Sequence, residues 1–135
     1  FAFRGELFSG THNFANGGNS FKIALYTGNP YSTSSTQYLT AQEVSASNTG
    51  YTTAGKVLAS QAVASGTAVA SVDFADSVIN SATFTAAFAA IYNDTNGDKL
   101  CVVLDFGGNK TATNGTFTIS FPDPSTPANA IISMA

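Results

Sequence analysis

Charge is what this sequence has least of. Only 10% of its 135 residues are Asp, Glu, Lys or Arg, against about 25% in ordinary soluble domains. Its five basic residues are scattered one at a time within a net charge of -3. That excludes a nucleic-acid footprint, because phosphate binding needs several Lys or Arg side by side. A single cysteine, Cys101, excludes an internal disulfide framework and a multi-cysteine zinc site. The single histidine, His12, must serve any His-dependent dyad or triad, and it stands far in sequence from every candidate nucleophile. No apolar run approaches the roughly 20 residues of a membrane-spanning helix. Nor does a basic start followed by an apolar run mark a signal peptide. The sequence opens at Phe1, so a removed start and a longer chain both stay open.

Ser, Thr and Asn take the place of the missing charge. Thr suits a pleated surface, whereas Ser and Asn suit turns, so this polar set fits a β protein with many loops. A hydrophobic content of 44% is enough for a core. The length is that of one domain, 1–135, able to bury roughly two-thirds of its unfolded surface. A surface so weakly self-repelling suits a protein that lives packed against neighbours. A plain acidic β domain fits the same composition equally well.

Ala86 to Phe106 is the stretch around which the rest is organised. Phe88, Ala90 and Tyr92 alternate with Ala87, Ala89 and Ile91; after a break, Leu100, Val102, Leu104 and Phe106 alternate with Cys101, Val103 and Asp105. Both faces of each run are largely apolar, as in strands covered on both sides. Asp94 to Asp98 supplies the turn of a central hairpin, with Asn96-Gly97 as the positive-φ pair.

Around it, residues 1–17 form an aromatic arm in which Phe3, Leu7 and Phe8 share one side at helical spacing, predicting a short helix. Ser20 to Thr27 alternates as a strand with one buried face. Residues 31–55 make a long loop, in which Thr40 to Glu43 has capping-box spacing and predicts one helical turn. Strands follow at Lys56 to Ala64, Ala68 to Phe74 and Val78 to Phe84. Gly107 to Lys110 and Asn114-Gly115 mark a second turn region before a strand at Thr116 to Phe121. A proline-containing linker over 122–129 leads to the last strand, Ala130 to Met134. The total is about eight strands, and the fold class is all-β: a single β-sandwich, immunoglobulin-like or jelly-roll-like.

Candidate chemistry is sparse. His12, beside Asn13, reads as a polar turn residue, and Cys101 as a small buried hydrophobe with nothing basic nearby to activate it. Asp94, Asn96, Asp98 and Asp105 imitate calcium-loop spacing, but Lys99 stands where the loop needs glycine and the flanks are strands. Asp73, Asp76 and Asp105 offer no reason to be paired as glycosidase carboxylates. The Asn-x-Thr triplets at Asn93, Asn109 and Asn114 would matter only in a eukaryotic secretory route. No enzyme, cofactor or metal site is expected. The candidate residues are aromatic and belong to contact surfaces: Phe1, Phe3, Phe8 and Phe14 in the arm, and Tyr31 and Tyr38 in the loop. For both groups, packing on the chain's own body competes with docking on a neighbour.

SFKIALYTG at Ser20 to Gly28, GYTTAGK at Gly50 to Lys56, AAIYND at Ala89 to Asp94, VVLDFGGNK at Val102 to Lys110, NGTFTISFP at Asn114 to Pro122 and ANAII at Ala128 to Ile132 run in order. Together with LFSGTHNF in the arm, this succession resembles a family of small virion structural proteins of tailed bacteriophages. The resemblance implies a non-enzymatic capsid decoration or cement protein on the outer surface of the phage head. Its partners would be the major capsid protein and neighbouring copies of itself, arranged as trimers in some members, with no nucleic acid and no membrane. It carries over no catalytic residues. The arm would then be a contact element whose deletion, Phe1 to Phe14, abolishes particle binding and leaves the sandwich folded. A tail or head-fibre domain that recognises a host glycan or receptor through the Tyr31 to Gly55 loop is the alternative.

Overall fold

The computed structural model describes residues 2–123, 126 and 129–134. In chain order its elements are α1 (Phe3–Phe8), β1 (Phe21–Tyr26), β2 (Lys56–Val57), β3 (Ala62–Ser65), β4 (Ala70–Asp73), β5 (Ser77–Asn93), β6 (Lys99–Ile119) and β7 (Ile132–Met134). The strands form two antiparallel sheets, one ordered β2-β1-β5-β6 and the other β3-β4-β7. Among the described residues the one α-helix is the six-residue α1, and the fold is all-β.

The central hairpin is there, and it is longer than its apolar runs. β5 and β6 pair from Asn93↔Lys99 at the turn to Ser77↔Ile119 at the open end. The expected strands Val78 to Phe84 and Thr116 to Phe121 are its continuations, so the described residues form seven strands instead of about eight. The predicted second turn region is a run of bulges instead. Gly107, Gly108 and Asn114 take φ of 75°, 144° and 46°, with Ser81 at 51° on the facing strand, and the register slips at Ile79/Ala82, Ala82/Phe84 and Ala86/Phe88. Positive φ serves a bulge as well as a turn, and only the pairing partner tells them apart.

Lys56 to Ala64 also departs from expectation, because it divides between the sheets. Ser60 takes φ 54° just after the buried Leu58, and the chain leaves β1 at β2 to join β4 at β3. At the predicted helical turn, Gln42 has φ 59°, which a helix cannot hold, and Glu43 instead bridges Tyr26. In the hairpin turn the positive φ falls on Gly97 and Asp98, one residue later than the Asn96-Gly97 pair.

The four-stranded sheet is covered on both faces. Phe21, Ile23, Leu25, Ala89 and Ile91 face a core shared with Val72 of β4, with Phe74 just after it, and with Phe3 and Phe14 from the N-terminal segment. Phe14 stacks on Phe21 at 4.3 Å and 10°, and Phe74 meets both edge-on. On the opposite face Ala24, Tyr26, Ala90, Tyr92 and Leu100 pack with Phe88 and Val103 of the same sheet and with Tyr31 and Tyr38 of the loop. β1 therefore has two buried faces where its alternation predicted one, because the long loop folds over the second.

That loop is anchored by tyrosine hydroxyls. Tyr26 and Tyr31 share a hydrogen bond of 2.6 Å, while Tyr38 and Tyr51 donate to the two oxygens of Glu43 at 2.5 and 2.7 Å. Burial first, then the carboxylate of Glu43, pushes Tyr38 and Tyr51 well above the ordinary tyrosine range. Tyr51 Oη also accepts the backbone N–H of Leu25 at 3.1 Å. Tyr51→Phe therefore leaves a buried N–H unpaired and is expected to cost about 1–3 kcal/mol, read as a shift of the urea midpoint. Gly55 closes the same region. A Cβ there would lie 2.1 Å from the Ile23 carbonyl oxygen, so only glycine lets the loop approach β1.

Candidate functional site

Three places gather functional groups: the aromatic loop just described, a buried polar cluster under α1, and an apolar cleft beside it.

The cluster begins with Asn93, the last residue of β5, which has no exposed surface. Its Oδ1 accepts the N–H groups of Thr95 and Asn96 at 3.1 and 3.2 Å, which fixes the amide's orientation. The two hydrogens of Nδ2 are then shared among Thr11 O, His12 Nδ1 and Asn19 Oδ1, at 3.3, 3.1 and 3.1 Å. With Nδ1 accepting, the ring hydrogen of His12 sits on Nε2 and is donated to Glu6 Oε2 at 3.0 Å. The other oxygen of Glu6 takes Lys99 Nζ at 2.7 Å. Burial pushes the Glu6 carboxyl up, but the bonds from Lys99 and His12 outweigh it and hold the group below its ordinary value of 4.5.

Cys101 completes this cluster. It is the extra residue where Ile91 pairs with Val102 and Tyr92 with Leu100, and the bulge puts its Sγ 3.6 Å from His12 Nδ1. Thiol, imidazole and carboxylate thus stand in the order of a nucleophilic triad. The chemistry differs, since Cys101 is only 2% exposed, and burial followed by the Glu6 charge pushes its thiol far above the ordinary range. The thiolate form that a nucleophile needs is disfavoured there. Among the described residues no group of three His, Cys, Asp or Glu is placed to hold a metal ion, and no helix is long and apolar enough to cross a membrane.

The cleft runs between α1 and the second sheet. Leu7, Phe14, Val63, Ser71, Val72 and Ile132 line its narrow end, about 70 Å³. Phe3, Arg4, Phe8, Ser133 and Met134 line its wider end, about 200 Å³, with Leu7, Ile132 and Met134 common to the two. Phe8 is 85% exposed, Val63 50% and Met134 49%. A contiguous apolar strip thus stands in water where the long alternating strands keep their own apolar faces covered.

The six candidate contact residues separate on these facts. Phe8 is presented to solvent. Phe3 and Phe14, 7% and 5% exposed, belong to the chain's own core, so they are not contact residues; the segment's apolar spacing fits helix packing as well as docking. Tyr31 and Tyr38 are half-buried anchors with their hydroxyls bonded inside the chain. Phe1 lies outside the described residues. His12, expected in a turn, is 7% exposed at the centre of the polar cluster. Asp94 pairs with Lys22 at 2.8 Å, and the Asn96 amide reaches Thr11 O and Asn19, so two of the four residues that mimic a calcium loop are engaged in holding the turn, while Asp105 accepts the Gly107 N–H at 2.8 Å in the bulge.

Glu6, Asn93 and Lys99 in the cluster, and Val63, Ile132 and Met134 in the cleft, carry no local signal. Glu6 and Lys99 are 93 positions apart, and β7 reads as an ordinary short strand. An acid inside an aromatic arm was the only hint. Compared with protein-family models, with curated proteins and with solved structures, the chain matches none.

Proposed function

We propose that this chain is a non-enzymatic virion structural protein of a tailed phage, a single β-sandwich domain that decorates the outer face of the head and stabilises it. The exposed apolar strip of Phe8, Leu7, Val63, Ile132 and Met134 carries this reading. Surface strips of this kind mark contact sites with other macromolecules, and this one is framed by a single charged side chain, Arg4. Interfaces of this kind gain most from buried aromatic anchors with few desolvated charges. The low overall charge and the resemblance in Ser20 to Gly28 and Val102 to Lys110 point the same way. For the layers, two antiparallel sheets feeding one core cluster support a sandwich.

The head is distinguished from a tail or fibre position by labelling purified particles with an antibody to the chain. Label around the shell supports decoration, label at tail tips supports host recognition, and unlabelled particles oppose both. The strip is tested by Phe8→Asp. Because Phe8 is so exposed, this change is expected to move stability by no more than about 0.5 kcal/mol while particle binding is lost. Unchanged binding by a folded Phe8→Asp protein would remove the strip from the interface.

A further inference from the structure

We propose that the polar cluster beneath α1 is an acid-released latch: as pH falls, α1 lets go of the β5–β6 hairpin while both sheets persist. The proposal is independent of what the apolar strip binds.

The geometry carries it. α1 is only six residues long, too short to be stable on propensity alone, and its described side chains reach the body through few contacts. Phe3 enters the core, Leu7 packs against it, and Glu6 bonds His12 and Lys99. The ion pairs described between α1 and the body converge on one carboxylate. Protonating Glu6 replaces an acceptor of two charge-assisted bonds with a group that leaves Lys99 unpaired, and bonds of that kind are the strong ones.

The surroundings do not offer a substitute charge. α1 contributes Glu6, and its other charged residue, Arg4, lines the cleft beside Ile132. β5 contributes Asn93, which does not titrate. β6 contributes Lys99 and the Cys101 thiol, and that thiol stays protonated. In the turn, Asp94 is committed to Lys22 of β1, and the charge of Asp98 acts on Tyr92.

The sign follows from Glu6. Its carboxyl is held below 4.5 in the folded chain, so its contribution is complete above that value and disappears as pH falls through the lower, folded one. The Asn93 amide, the pairing of β1 with β5 and the stack of Phe14 on Phe21 do not depend on this proton, which is why the sheets outlast the latch.

Hydrogen exchange on the full chain at about pH 7 and about pH 2.5, below the ordinary carboxyl range, corrected for the intrinsic pH dependence of exchange, tests the proposal. The backbone N–H groups of Glu6, Ser9, Gly10 and Thr11 donate within the α1 segment. They are expected to lose protection at the lower pH, while Ala90 and Ile91 in β5 keep theirs. Glu6→Gln should flatten this difference, and Lys99→Met provides a second variant that removes the partner instead. Three results would overturn the proposal: α1 equally protected at both pH values, α1 and β5 losing protection together, or both variants retaining the wild-type pH dependence.

Discussion

Replacing Asn93 with leucine is expected to destabilise the chain by about 3–5 kcal/mol, since each buried polar group left without a partner costs about 1–3 kcal/mol. The volumes are similar, so the cost is polar. Thr11 O and Asn19 Oδ1 keep donors from Asn96. The N–H groups of Thr95 and Asn96 lose theirs, and His12 Nδ1 keeps only the Cys101 thiol at 3.6 Å. Urea unfolding would show the loss as a lower midpoint with an unchanged slope. A loss below about 1 kcal/mol would mean that water replaces the amide, against the complete burial of this side chain. The same burial makes Asn93 useless as a glycan acceptor in the folded chain, although it sits in an Asn-x-Thr triplet.

Phe14→Ala should cost a comparable amount, about 3–5 kcal/mol by the usual measure of a core phenylalanine truncated to alanine. Its ring is sandwiched among Phe3, Phe21 and Phe74, and it draws one atom layer from the N-terminal segment into the core shared by both sheets. Removing residues 1–14 deletes this ring together with Phe3 and His12. The truncated chain is therefore expected to be unfolded or molten, with near-ultraviolet circular dichroism collapsed. The expectation that the arm is detachable does not survive this packing. Point changes at Phe8, which separate contact from folding, are the appropriate probe. If the truncated chain kept a sharp unfolding transition, the N-terminal segment would not belong to the core.

How much of this could be read in the residues depends on the range of the interaction. Alternation in Leu100 to Phe106 and in Ser20 to Thr27 placed β1 and the heart of the hairpin, because period-two burial is a local property. Gly107-Gly108 and Asn114-Gly115 announced unusual backbone correctly, and Gly107, Gly108 and Asn114 do take positive φ. Whether that backbone turns or bulges was decided across the sheet, by Ala86 opposite Lys110 and Ala82 opposite Gly115. Leu58 and Ser60 divide a strand for a reason visible only once two sheets compete for it.

The candidate surfaces follow the same rule. Aromatic load in residues 1–17 and in Tyr31 to Tyr51 was legible, but the destination of each ring was not. Phe3 and Phe14 turned inward, Tyr31 and Tyr38 were bound by Tyr26 and Glu43, and Phe8 alone of the described arm phenylalanines stayed in water. Its neighbours Val63 and Met134 come from strands that sequence separates by about half the chain. The polar cluster was illegible for the same reason. Its members are individually ordinary, and their meaning lies in Asn93 facing His12 across 81 positions.

The central claim is that the strip around Phe8 is the face this chain turns toward a phage shell. Cryo-electron microscopy of undecorated tailed-phage heads mixed with the purified chain tests it most directly. The account predicts ordered density on the outer shell, with α1 and β7 against the capsid and the Tyr31–Val103 face outward. Heads that remain bare, or density docked through the Tyr31–Val103 face, would contradict it.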